Sequence, residues 1–198
     1  MPTLDYQSVA DARRERPGWA AADGGAILVS GIVADALGGR VEVDADAGRC
    51  WILVPVGQRT ASIESNSGLG GWLAVTAVRV PFAGRAGFCA GARPATMLDR
   101  IGEWLGAFDV HVGVEPFDSA FVLRGVDHAR VRAVFNHGGL RAALMAEPAG
   151  TLDIGGVGHR RYGSFALPGV VTEINRLRHA LHVVATVVDQ LAAIGLAD

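Results

Sequence analysis

Residues 40–65 read RVEVDADAGRCWILVPVGQRTASIES, and their pattern decides the fold. Arg40 to Asp44 alternates polar and apolar side chains, which is the period of a strand with one buried face. Asp46-Ala47-Gly48 supplies turn residues, Cys50 to Val56 is a second strand-like run, and Thr60 to Ser65 is a third. The connections are too short for parallel crossovers, so these strands form an antiparallel meander.

Working downstream, Asn66-Ser67-Gly68 breaks the run, and Trp72 to Phe82 alternates again with Trp72, Val78, Val80 and Phe82 on one face. Ala83-Gly84-Arg85 reads as a hairpin loop that returns through Ala86 to Ala92. After Pro94, the residues Met97, Leu98, Ile101, Trp104, Leu105 and Phe108 mark one face of a helix. Trp104, Leu105 and Phe108 are expected to bury against the sheet face carrying Trp72, Val78 and Val80. Asp109 to Val114 and Ala120 to Arg124 read as two more strands, and Asp127 as the N-cap of a helix carrying Val131, Val134 and Phe135. Asn136 to Gly139 interrupts that helix, and Leu140 to Met145 resumes it. Thr151 to Ile154 and Arg161 to Leu167 form a closing hairpin around Gly155, Gly156 and Gly158. Pro168-Gly169 then opens a C-terminal helix whose seam is Ile174, Leu177, Leu181, Val184, Val188 and Leu191. That seam fits packing on the chain's own sheet, and it also suits a homodimer through the C-terminal helix.

Upstream, residues 26–37 carry apolar side chains at a spacing of four, and Gly38-Gly39 supplies a helix stop. Residues 1–25 are polar and read as an N-terminal arm. The expected architecture is α+β: an antiparallel sheet or two-layer sandwich covered by a mid-chain helix and a long C-terminal helix, with residues 26–198 as a single domain.

Composition narrows the chemistry. The formal net charge is −2, which argues against a general nucleic-acid binder. All 18 basic residues are Arg, so neither a Schiff-base lysine nor a phosphate-loop lysine exists here. The two cysteines, Cys50 and Cys89, cannot close a zinc site on their own. Each reads as a buried free thiol, with a disulfide between neighbouring strands as the alternative. Arg13 and Arg14 before the apolar run Ala26 to Val33 give a faint secretory outline, but Pro17, Gly18, Asp23 and Asp35 interrupt it. No stretch approaches the ~20 apolar residues of a membrane span. The expected location is the cytoplasm.

Phe117, Asp118, Phe121, Leu123, Gly125, Asp127, Val131, Phe135, Leu140 and Leu144 set out a pattern within Glu115 to Met145. It resembles a family of uncharacterised bacterial domains in which a Phe-Asp-x-x-Phe strand motif is followed by a helical hairpin. The likeness extends to element order over Arg40 to Leu191. It implies a bacterial source and an order of elements, and it implies no activity.

Four residues stand out as ligand-binding candidates. Asp118, between aromatic residues, suits either a general base or an acceptor of backbone hydrogen bonds at a turn. His159, Arg160 and Arg161 follow a run of glycines, a combination that holds anions through amides and guanidinium groups but also occurs as a solvated strand edge. Among the six histidines, His179 and His182 are three apart on the C-terminal helix but have no third ligand at hand. His128 and His137 suit helix caps, and His111 an exposed strand position. No serine lies in a nucleophile-elbow context. No metal and no cofactor is implied. The reading favours a non-catalytic binding or scaffold module for an unknown protein or small-molecule ligand, with no nucleic acid as partner. The alternative is a small enzyme with a spatially assembled site.

Overall fold

The computed structural model describes residues 30–44, 49–66, 74–84, 88–96, 99, 110–157 and 160–197. The meander forms as the alternation requires. Strands β1 (Arg40–Asp44), β2 (Arg49–Val56), β3 (Arg59–Asn66) and β4 (Val75–Phe82) pair in sequence, each antiparallel to the next. Strand β5 (Ala90–Pro94) does not return along β4. It pairs with β6 (Phe121–Gly125) on one side and β7 (Thr151–Val157) on the other. The edge of β4 belongs instead to β8 (Arg160–Pro168), which runs beside its whole length and sets Val78 against Phe165. The physical reason is burial. Both Val78 and Phe165 are fully shielded from solvent, whereas β5 reads AGARP and offers no large apolar side chain. The result is one eight-stranded antiparallel sheet in the order β1-β2-β3-β4-β8-β7-β5-β6.

Pairing register places Ile52, Val54, Ala61, Ile63, Thr76, Val78, Val80, Phe165, Leu167, Leu152, Ile154, Ala92 and Leu123 on one face of the sheet, and all are buried. The helices lie on that face. The first, α1, spans residues 30–37 and buries Val33 and Ala34. It stops at Gly38, where φ is +68°, and the Gly39 amide reaches back to the Ala34 carbonyl. That is the left-handed helix stop which glycine alone adopts without strain.

Residues 110–114 are not a strand, although Val110, Val112 and Val114 alternate. The successive amides of Val112, Gly113 and Val114 are taken by Asp118, so they cannot enter a ladder. Phe117–Ala120 forms a helical turn (α2) rather than the start of a strand, and its ring stacks with Phe121 and with Phe135. Helix α3 (His128–Phe135) is capped as expected by Asp127, whose side chain accepts from the Arg130 amide. Helix α4 (Gly138–Ala146) is capped by the His137 ring, which accepts from the Leu140 amide.

The C-terminal helix α5 (Ile174–Ala193) crosses β4 and β8 and buries Leu177, Leu181, Val184, Val188 and Leu191 within the chain itself. It sits close because Gly163 has no side chain. A Cβ there would stand 3.1 Å from Val187 and 3.3 Å from Val184 and Val188. Its start is at Ile174, five residues beyond Gly169, because the intervening loop is held by the sheet. Buried Thr76 donates its hydroxyl to the Gly169 carbonyl and accepts from the Val171 amide. The outward face of α5 carries Asn175, Arg178, His182 and Asp189. The helix expected over Met97 to Phe108, with Trp104, Leu105 and Phe108, and the sheet residue Trp72 lie outside the described residues, as does the N-terminal arm. Among the described residues, no helix is long and apolar enough to cross a membrane.

The cysteines depart from expectation. Both are free, and neither is fully buried: Cys50 is half-buried beside Ser30, and Cys89 is exposed. They sit in β2 and just before β5, which are separated by β3, β4, β8 and β7, so no disulfide can join them.

Candidate functional site

The four residues picked from sequence do not gather in one place. Asp118 lies before β6 at the end of the sheet where Phe121 pairs with Pro94. Its carboxylate accepts from the amides of Val112 (3.1 Å), Gly113 (2.7 Å) and Val114 (2.9 Å). Both oxygens are thereby committed to fixing the loop. The β7–β8 turn stands at the opposite end of the sheet. His159 lies outside the described residues, and Arg160 is placed in β8 opposite Val157. Arg161 is half-buried on the helix-bearing face, opposite both Phe82 and Gly156.

Two of the remaining imidazoles have local duties. His137 caps α4, and the His179 ring lies 2.8 Å from the Ala143 carbonyl, tying α5 to α4. His111, outside any strand, is exposed, as are His128 and His182. The acids are similarly engaged. Glu147 receives two hydrogen bonds from Arg176 at 3.0 Å, which raises the Arg176 pKa further. Glu64 pairs with Arg79 at 2.6 Å. Asp99 binds the Arg93 guanidinium and then the Thr96 hydroxyl and amide, which hold its carboxyl well below the usual range. Hydrogen bonds from Arg40 and then from Trp51 lower Glu42 as well. Among the described residues, no three metal-ligating side chains stand together.

A cleft remains at the end of the helix-bearing face where Arg161 lies. It has a volume of about 520 Å³ and is lined by Val56, Gly57, Gln58, Arg59, Val80, Ala185 and Asp189. One wall is the β2–β3 turn and the other is the C-terminal half of α5. The apolar part is Val56, Val80 and Ala185. Arg59 spans the cleft, with Nη1 donating to Asp189 Oδ1 at 2.8 Å. The Arg59 side chain is 29% exposed and that of Asp189 is 70% exposed. An ion pair so open to water contributes about 0–1 kcal/mol, so Arg59 can exchange Asp189 for another anion at little cost. Continuing the β3–β4 register puts Arg59 opposite Phe82, and Phe82 is opposite Arg161. The two arginines thus occupy one row on the same face, with backbones about 10 Å apart by strand spacing.

Arg59 and Asp189 were not read as site residues from sequence. They are 130 positions apart, and only the packing of α5 brings them together. Searches for known relatives found no matching family model, no matching curated protein and no matching solved structure, so the likeness of Glu115 to Met145 to bacterial domains rests on its residues alone.

Proposed function

We propose that this chain is a non-catalytic binding module that takes a small molecule with an apolar body and one anionic group in the cleft between the β2–β3 turn and α5. The observation that carries this reading is the cleft itself. Its volume of about 520 Å³ falls in the range of small-molecule sites, and its open lining combines apolar Val56, Val80 and Ala185 with polar Gln58, Arg59 and Asp189 in about equal measure. Apolar area supplies affinity, and one or two polar groups fix orientation. Arg59 offers a planar fork of donors, of which Asp189 uses one. Arg161 in the same row adds a second positive charge toward that end of the face.

Catalysis finds less support. The acid at the cleft is Asp189, and its partner is a guanidinium, which does not exchange protons near neutral pH. Of the imidazoles, His137 caps α4 and His179 joins α5 to α4, and the acids named above are held in hydrogen bonds or ion pairs.

The probe for this reading is the dye anilinonaphthalene sulfonate, which has an aromatic body and one anion. It should bind at a single saturable site on the folded protein. Arg59→Ala should weaken it about tenfold, the value of one charge-assisted hydrogen bond. Ala185→Trp should fill the cleft and abolish binding, and Asp189→Asn should strengthen it by freeing the guanidinium. Dye binding that is indifferent to both Arg59→Ala and Ala185→Trp, in proteins with unchanged melting temperature, would refute the assignment.

A further inference from the structure

The two edges of the sheet are finished differently. At one end, β6 presents Phe121, Val122 and Leu123, whose exposures are 3%, 6% and 1%, so that edge is shielded on both faces. At the other end, β1 pairs only with β2 among the described residues. Arg40 is exposed, Val41 and Glu42 are half-buried, and Val43 is 43% exposed. A strand edge of this kind is a template for another strand. Of the usual blunting devices, proline and a bulge are missing: β1 reads RVEVD and pairs with β2 residue for residue, so its protection is its shortness and the charges of Arg40, Glu42 and Asp44.

The charges on β1 also form a self-complementary pattern. Arg40 and Glu42 are two apart, so they share the helix-free face of the sheet, where they already approach within 3.1 Å. If a second β1 lies antiparallel with Val41 opposite its own copy, Arg40 of each strand falls opposite Glu42 of the other, twice over by symmetry. The same register puts two Val41 side chains together on the helix-bearing face. A partner of unrelated sequence would not reproduce this match, whereas a second copy does so automatically.

We propose that the edge of β1 away from β2, unpaired among the described residues, docks a second copy of this chain, extending the sheet across a two-fold axis at Val41 with reciprocal Arg40–Glu42 pairs. The contact is distinct from the cleft, which lies at the turn end of β2 and β3.

Sedimentation of the full chain tests it. The wild type should show a monomer–dimer equilibrium. Glu42→Arg and Arg40→Glu each set like charges opposite one another twice, and each should weaken the dimer about tenfold or more. Mixing the two variants restores opposite charges and should yield a heterodimer. Glu42 also accepts from Trp51, so melting temperatures accompany each measurement. Should a reversal unfold the chain, Val41→Cys in a background of Cys50→Ala and Cys89→Ala gives the same information. It should cross-link to itself on mild oxidation, because facing Cβ atoms in antiparallel strands are about 5 Å apart. A monomeric wild type overturns the proposal. So does a dimer that both reversals leave at full strength, or a Val41→Cys chain that does not cross-link.

Discussion

Asp118 shows how one side chain redirects the backbone. Val110, Val112 and Val114 alternate like a strand, yet the carboxylate captures three successive amides at 2.7–3.1 Å and bends them into a loop. Both oxygens are used, so the amide isostere is an incomplete replacement: Asp118→Asn keeps one acceptor and turns an NH2 donor toward a backbone N–H. We expect Asp118→Asn to cost about 1–2 kcal/mol and Asp118→Ala about 2–4 kcal/mol in urea unfolding. An Asp118→Asn chain as stable as wild type would show that these three amides are satisfied elsewhere. The role of Asp118 as an acceptor at a turn was legible from Pro116 and its neighbours; the loop it captures was not, because alternation cannot reveal a competitor for the amides. The cleft was illegible for a related reason. Neither Gln58-Arg59 nor Asp189 lies in a local pattern that marks chemistry, and their meeting depends on where α5 settles.

The helix α5 illustrates the same division one level up. Its period was plain in the sequence: Leu177, Leu181, Val184, Val188 and Leu191 of the seam are buried, whereas Ile174 is half-buried and Ala180, Val183 and Val187, outside the seam, are buried with them. The surface that receives it was not plain, since the glycine that admits it, Gly163, stood in a strand expected to pair only with its hairpin neighbour. Two substitutions test this packing. Gly163→Val inserts a branched side chain where a Cβ already approaches Val187 within 3.1 Å, and should cost about 1–3 kcal/mol by overpacking. Leu181→Glu places an unpaired charge at a position only 7% exposed, and should cost about 3–5 kcal/mol. Circular dichroism melts of both variants measure this. A Leu181→Glu chain that melts like wild type would mean that the seam faces outward. Apart from Asp109 to Val114, whose described residues form no strand, strand identities were likewise readable from alternation, while the partner of β5 was not, because pairing is decided by competing burial across the whole sheet.

At the scale of the molecule, strand order carries a consequence for how the chain comes into being. The pair β7–β8 is made after the other six strands, yet it sits in the middle of the sheet, between β4 and β5. Until it arrives, β4 and β5 are two bare edges, and α5 has not yet been made to cover Val78 and Val80. A chain ending at Gly150 should therefore aggregate. Light scattering at neutral pH checks this, and a soluble fragment with a cooperative melt would show that the first six strands fold without the insert. On a ribosome the same order means that no stage of elongation passes through a finished sheet. The nascent chain must hold its two halves apart, unsealed, until a hairpin made after both of them slides between them like a keystone.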